Sequence, residues 1–137
     1  MSERVFRRRR VVRQDDVDGL FHVNNTVWVK FIVDLAAAHS AARGFDGRTV
    51  RALGGQWMVR RHEIDYHRAA LLGEEIEEAT WVESMKGARS VRLSRFTRPA
   101  DGDEYVTAVT QWAFTDRDTQ RPRRIPAEIL KEFGRES

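Results

Sequence analysis

Two acids, one imidazole and two amides stand close together near the start of the chain: Asp16, Asp18, His22, Asn24 and Asn25. A carboxylate can attack a carbonyl carbon or draw a proton from water, and an imidazole can orient it. The residues after them, Thr26 to His39, carry Val27, Trp28, Phe31, Ile32 and Leu35 at helical spacing, then a run of Ala. Asn24 or Asn25 is a natural cap for that helix, since an amide oxygen accepts a free first-turn N–H. Gly44, following His39 and Arg43, fits its end. The acid, the imidazole and the amides therefore sit just before a helix start, where backbone donors and the dipole favour negative charge. The plain alternative for Asp18 is a turn or cap residue, and for His22 a packing residue of the loop. A metal reading is poor, because Asp18, His22 and His39 lack a recognised ligand spacing.

The elements that hold these residues run in order along the chain. Val5 to Arg13 reads as a strand whose long Arg stems lie over apolar neighbours. The acid loop and long helix occupy about Asp15 to Arg43. Phe45 to Gln56 is rich in glycine and reads as loop or short irregular structure. Strands are expected over Trp57–His67, Glu75–Ser84, Ala88–Arg98 and Tyr105–Thr115, with turns at Leu72–Glu74, Met85–Gly87 and Pro99–Asp103. Ile76, Trp81 and Val82 are the apolar anchors of the second of these, and Val91, Leu93 and Phe96 are apolar in the third. Pro126 opens a short closing helix. The order is strand, long helix, then four successive strands, which predicts an antiparallel meander curled around one apolar helix. The fold class is α+β.

With 137 residues, one domain is expected, residues 1–137. Hydrophobic residues make up 41%, enough for a real core. There is no cysteine, so neither a disulfide framework nor thiolate chemistry is available. No apolar run reaches the ~20 residues of a membrane span, and the N-terminus has no apolar signal core. These features predict a soluble, cytoplasmic protein. Net charge is +3, but basic residues cluster at Arg7–Arg10 and at Arg121, Arg123 and Arg124. Solvated surface is the plain reading of such runs, and a phosphate-bearing partner the sharper one. Nucleic acid is disfavoured as that partner, because the basic residues interleave with strand formers and lack a recognised motif.

Asp16-Val17-Asp18, then His22-Val23-Asn24-Asn25 with Trp28 beyond, resembles the signature of the hotdog-fold acyl-CoA thioesterases of the 4-hydroxybenzoyl-CoA thioesterase type. His62 to Arg68 with Leu72 to Ile76 resembles the second strand and turn of that family. Arg123-Arg124-Ile125-Pro126 resembles the approach to its last helix. Three departures stand out: Phe21 where the family has Gly, Gln14 and Asp15 where an aromatic precedes the acids, and Ala36 where an arginine follows mid-helix.

The resemblance implies a hotdog fold, with one long central helix wrapped by a curved five-stranded antiparallel sheet and a short C-terminal helix. It implies hydrolysis of an acyl-CoA thioester, with Asp18 as nucleophile or general base and the helix N-terminus as the oxyanion site. Such a donor is worth ~3 kcal/mol. On that reading His22 and Asn25 complete the catalytic set, and Asn24, Trp28 and Phe31 bind the acyl portion. Lys86, Arg89, Ser90 and, more weakly, Arg124 hold the phosphate-bearing end of coenzyme A. No cofactor and no metal is implied. The expected partners are the acyl-CoA substrate and a second copy of the chain, in a homodimer or homotetramer with the site between subunits, and neither nucleic acid nor membrane. A carrier-protein ester, with the same reacting bond, and a non-catalytic acyl-binding protein are the alternatives.

Overall fold

The computed structural model describes residues 4–133. Its strands are β1 (Phe6–Val11), β2 (Gly55–Tyr66), β3 (Glu75–Lys86), β4 (Arg89–Thr97) and β5 (Glu104–Asp116). Its helices are α1 (Asn25–Ala42), α2 (Gly47–Ala52) and α3 (Ala127–Phe133), with one 3-10 turn at Gln14–Asp16.

The long helix forms for the reasons its sequence suggests. Asn24 is the cap: its Oδ1 accepts the Thr26 N–H at 2.9 Å. Trp28, Phe31, Ile32, Leu35, Ala36 and His39 are buried, a stripe at helical spacing along one side. The helix stops at Gly44, whose φ of +93° a side chain would disfavour. Each large apolar side chain in that stripe contributes ~1.5–3 kcal/mol by leaving water.

The sheet is antiparallel throughout, in the order β1-β3-β4-β5-β2. Five strands and one long helix match the expected architecture, but the four-strand meander does not hold. Only β3, β4 and β5 follow one another in space, and β2 pairs with β5 at the far edge. The Leu72–Glu74 turn explains why. It bonds to the N-terminal segment instead of closing a hairpin: Gly73 N–H donates to Val12 O at 3.0 Å, and Val12 N–H to Glu74 O at 2.9 Å. This delivers β3 to the side of β1. Register shifts between Val59 and Arg61 in β2, and between Val82 and Ser84 in β3, bend the sheet around the helix.

Two local expectations change. Phe45–Gln56 is not loop alone, because Asp46 caps α2 through the Thr49 N–H at 2.8 Å and Val50 is buried. The turn expected at Met85–Gly87 is a two-residue connection at Gly87 and Ala88, with β3 running on to Lys86 opposite Arg89.

The arginine run has partners. Arg7 lies 3.6 Å from Glu77, Arg9 3.1 Å from Glu75, and both Arg8 and Arg10 2.7 Å from Glu78. Glu78 is fully buried, and Arg10 also covers the Phe31 ring at 3.9 Å. Strand pairing thus matches a basic strand to an acidic one, and the run is not a free cationic patch. The inner face of the sheet is polar for a core-facing surface: Glu78, Thr80, Ser90, Arg92, Ser94 and Thr110 are all buried.

Candidate active site

The loop from Asp16 to Asn24 is held on both sides. Asn24 N–H donates to Asp16 O at 3.2 Å and Val23 N–H to Ala70 O at 2.9 Å. Within the loop, Asp18 Oδ1 accepts the Leu20 N–H at 2.9 Å and the His22 N–H at 3.2 Å. Phe21 N–H donates to Asp18 O at 3.0 Å, and Phe21 has φ +62°. The position where the resembled pattern has Gly is therefore one that needs the left-handed conformation. Asp18 does the work of a turn residue with one oxygen, and Oδ2 has no hydrogen-bond partner among the described residues.

At the helix start, the Asn24 side chain takes the Thr26 N–H, and the Asn24 carbonyl takes those of Val27 and Trp28. The Asn25 N–H is left without an acceptor among the described residues. It is the amide on which the helix dipole is concentrated.

A cleft of about 440 Å3 brings Asp18, His22, Asn24, Asn25 and Trp28 together. Phe31 does not line it. That ring is buried in the core, edge-on to Trp28 at 5.6 Å. The opposite wall is formed by Tyr66 at the end of β2 and by His67, Arg68 and Ala69 just beyond it. Sequence reasoning reached these residues as a strand-and-turn motif but not as cleft residues. The available signal was the aromatic and two basic side chains crowded at a strand end. Tyr66 OH donates to Asn25 O at 3.5 Å, His67 Nε2 meets Thr107 Oγ1 at 2.9 Å, and Arg68 pairs with Asp103 at 2.7 Å. Among the described residues, no group of three or more His, Asp or Glu is placed to hold a metal ion.

The four residues expected at the coenzyme divide. Lys86 and Arg89 are exposed and face each other across the Gly87–Ala88 connection. Arg124 is exposed beside them, because Ile125 N–H donates to Gly87 O at 2.9 Å. Ser90 is the exception: it is buried and faces an interior cavity, since the alternation of β4 turns it toward α1.

One central helix inside a five-stranded antiparallel sheet, with a polar cleft at the helix start, defines the hotdog-fold thioesterases. The chain belongs to the family of acyl-ACP thioesterase N-terminal domains, a family of thioester hydrolases whose profile matches residues 3–133. It is 32% identical over 78 residues to a chloroplastic acyl-acyl-carrier-protein hydrolase of Cuphea viscosissima, covering 56% of this chain and 19% of that protein. Among solved structures, a 1,4-dihydroxy-2-naphthoyl-CoA thioesterase from Synechocystis superposes with a TM-score of 0.85 at 12% identity, covering 93% of this chain and 94% of that one. An acyl-ACP thioesterase from Bacteroides thetaiotaomicron superposes with a TM-score of 0.85 at 21% identity, covering 96% of this chain and 54% of that one. These structural likenesses carry the fold. The chain spans about a fifth of the plant relative and about half of the Bacteroides protein. Among the described residues, no helix is long and apolar enough to cross a membrane.

Proposed function

We propose that the chain hydrolyses an acyl thioester, of coenzyme A or of a carrier protein, to a free acid and a thiol. The observation that carries this reading is that one cleft is lined by both Asp18, whose Oδ2 is unbonded among the described residues, and Asn25, whose N–H is likewise unbonded among them. Family membership supports it. The thioester carbonyl oxygen takes the Asn25 N–H, which stabilises the oxyanion as it develops. Asp18 Oδ2 then acts in one of two ways. As nucleophile it forms a mixed anhydride and expels the thiolate, and water cleaves the anhydride. As base it takes a proton from the attacking water. His22 steadies the loop through its backbone and lines the same cleft. Asn24 holds the helix start, and Trp28 forms the apolar floor.

Lys86, Arg89 and Arg124 hold the phosphates of the thiol-bearing group, and Ser90 is left out for its burial. Two copies of the chain join along β2, an edge strand of 12 residues with Met58, Val59 and Tyr66 exposed. A second subunit there covers the open side of the cleft, which Tyr66 lines. The chain works in the cytoplasm as a single hotdog domain.

A panel of acyl-CoA and acyl-carrier-protein esters, assayed for released thiol, tests the reading and ranks the two substrate classes. Hydrolysis that Asp18→Asn leaves untouched would remove Asp18 from the chemistry. Tight acyl-CoA binding with no turnover by the wild type would favour the non-catalytic reading, which the departures at Phe21 and Ala36 motivate.

A further inference from the structure

A second cavity, of about 330 Å3, lies between the later half of α1, α2, α3 and the inner face of β4 and β5. Its size falls in the ~300–1,000 Å3 range of small-ligand sites. Most of the wall is apolar, including Val33, Val50, Trp57 and Met85. One corner differs. Arg92 enters from β4 and is only 6% exposed. Its Nη1 donates to His39 Nδ1 at 2.8 Å and to Thr80 Oγ1 at 3.1 Å. Its Nε and Nη2 have no hydrogen-bond partner, and no carboxylate pairs with it, among the described residues. The buried acid of this sheet face, Glu78, is already held by Arg8 and Arg10. Trp112, across the sheet from Ser90, lines the same cavity with a buried Nε1–H that has no acceptor.

His39 cannot balance the charge. Burial, with Arg92 and then Arg43 beside it, lowers its pKa to about 3, so it is neutral and accepts from Arg92. Burial lowers Arg92 to about 10, which leaves it charged at neutral pH. A buried cation with no anion and a buried donor with no acceptor among the described residues, both lining one mostly apolar cavity, are unfavourable. A single group would satisfy both: an oxyanion attached to something apolar.

We propose that this cavity binds an apolar carboxylic acid as its anion. The carboxylate sits on Arg92 and Trp112, and the hydrocarbon lies along Val33, Val50 and Met85. The acid is either a free one, the product class of the hydrolysis proposed above, or a carboxylate at the far end of an acyl group. Binding itself does not depend on the thioesterase reading.

Calorimetric titration of the full chain with octanoate and with 1-octanol tests the proposal. Octanoate is expected to bind at least tenfold more tightly than 1-octanol. Arg92→Gln and Trp112→Phe are each expected to weaken octanoate about tenfold and to leave 1-octanol within twofold. Equal affinity for acid and alcohol in the wild type, no binding of either, or octanoate binding unmoved in the variants would overturn it. Trp112→Phe keeps the ring and decides the matter if Arg92→Gln does not fold. A second arm separates the sources. If the kcat/KM ratio of 8-carboxyoctanoyl-CoA to octanoyl-CoA exceeds one and collapses in Arg92→Gln, the acyl group supplies the carboxylate. If that ratio does not respond while octanoate still binds, the ligand is the free acid. Loss of all turnover with octanoate binding intact would count against the hydrolase alone.

Discussion

The carbonyl of His22 accepts the Asp18 N–H at 2.9 Å, while Asp18 Oδ1 accepts the His22 N–H at 3.2 Å. The two residues close the loop on each other, and only Oδ2 of the acid is left unbonded among the described residues. Asp18→Asn keeps an oxygen where the loop needs one. It is expected to unfold within about 1 kcal/mol of the wild type, yet to lose roughly 10²–10⁴ in kcat. Asp18→Ala should lose the turn as well, by ~1–2 kcal/mol over its two hydrogen bonds. Thiol-release kinetics and urea unfolding of the three proteins check the separation.

Phe21 occupies a left-handed conformation at φ +62° with its ring 55% exposed. That conformation costs a side chain ~1–2 kcal/mol, and a half-exposed ring returns little of it. Phe21→Gly is therefore expected to gain up to about 1 kcal/mol after the entropy glycine adds to the unfolded chain. Phe21→Ala should gain nothing. The urea midpoints of the two variants give the answer.

Glu78 is fully buried between Arg8 and Arg10. Removing its charge leaves two guanidinium groups without a counter-ion, which costs ~3–5 kcal/mol for fully buried pairs. The Arg8 and Arg10 side chains are 33% and 24% exposed, so water takes up part of the loss. Glu78→Gln is expected to fall near the low end, about 3 kcal/mol, and replacing both arginines by Met in that background should recover much of it. Denaturant melts of the series measure this.

His39 bears on stability against pH. Its folded pKa lies at about 3, below the ordinary value of 6.5, chiefly through burial and then through Arg92. Between those two values the unfolded chain holds a proton that the folded chain refuses. Stability is therefore greatest above pH 6.5 and falls as the pH drops toward 3, by ~1.4 kcal/mol per unit for one proton. His39→Gln, which can still accept from Arg92, should lose that proton's share of the slope. Urea unfolding at several pH values between about 4 and 7 shows whether it does.

Lys86, Arg89 and Arg124 gather at one end of the molecule without ion-pair partners among the described residues. Reversing any one of them to Glu is expected to raise KM several-fold for a coenzyme A ester and to leave kcat in place, the mark of uniform binding. Added salt should shrink the difference, because screening weakens exposed charges.

The sequence made the elements legible where the signal is local. The capped helix, the closing helix and all five strands come from residue types, spacing and turn residues within a few positions. Pairing was not legible, because no local residue says that β2 joins β5, or that the acids of β3 will meet the arginines of β1. Facing was not legible in β4. Val91 and Leu93 are apolar by type, but the buried row is Ser90, Arg92, Ser94 and Phe96. Period-2 alternation says that the two sets face opposite ways, not which one is inside. At the site, Asp18, His22, Asn24, Asn25 and Trp28 share one motif and arrive together. Tyr66, His67 and Arg68 join them only because of the fold, and Ser90, expected at the coenzyme, is turned inward by its strand.

The connection from β2 to β3 touches the Asp16–Asn24 loop at Ala70, Leu71 and Leu72 and the end of β1 at Gly73 and Glu74. A mouth stitched along that seam does not swing like a lid. On the proposed reading, substrates meet an opening already cut to shape and are sorted by its walls, and backbone amides of the seam should exchange with solvent as slowly as those of the strands they fasten.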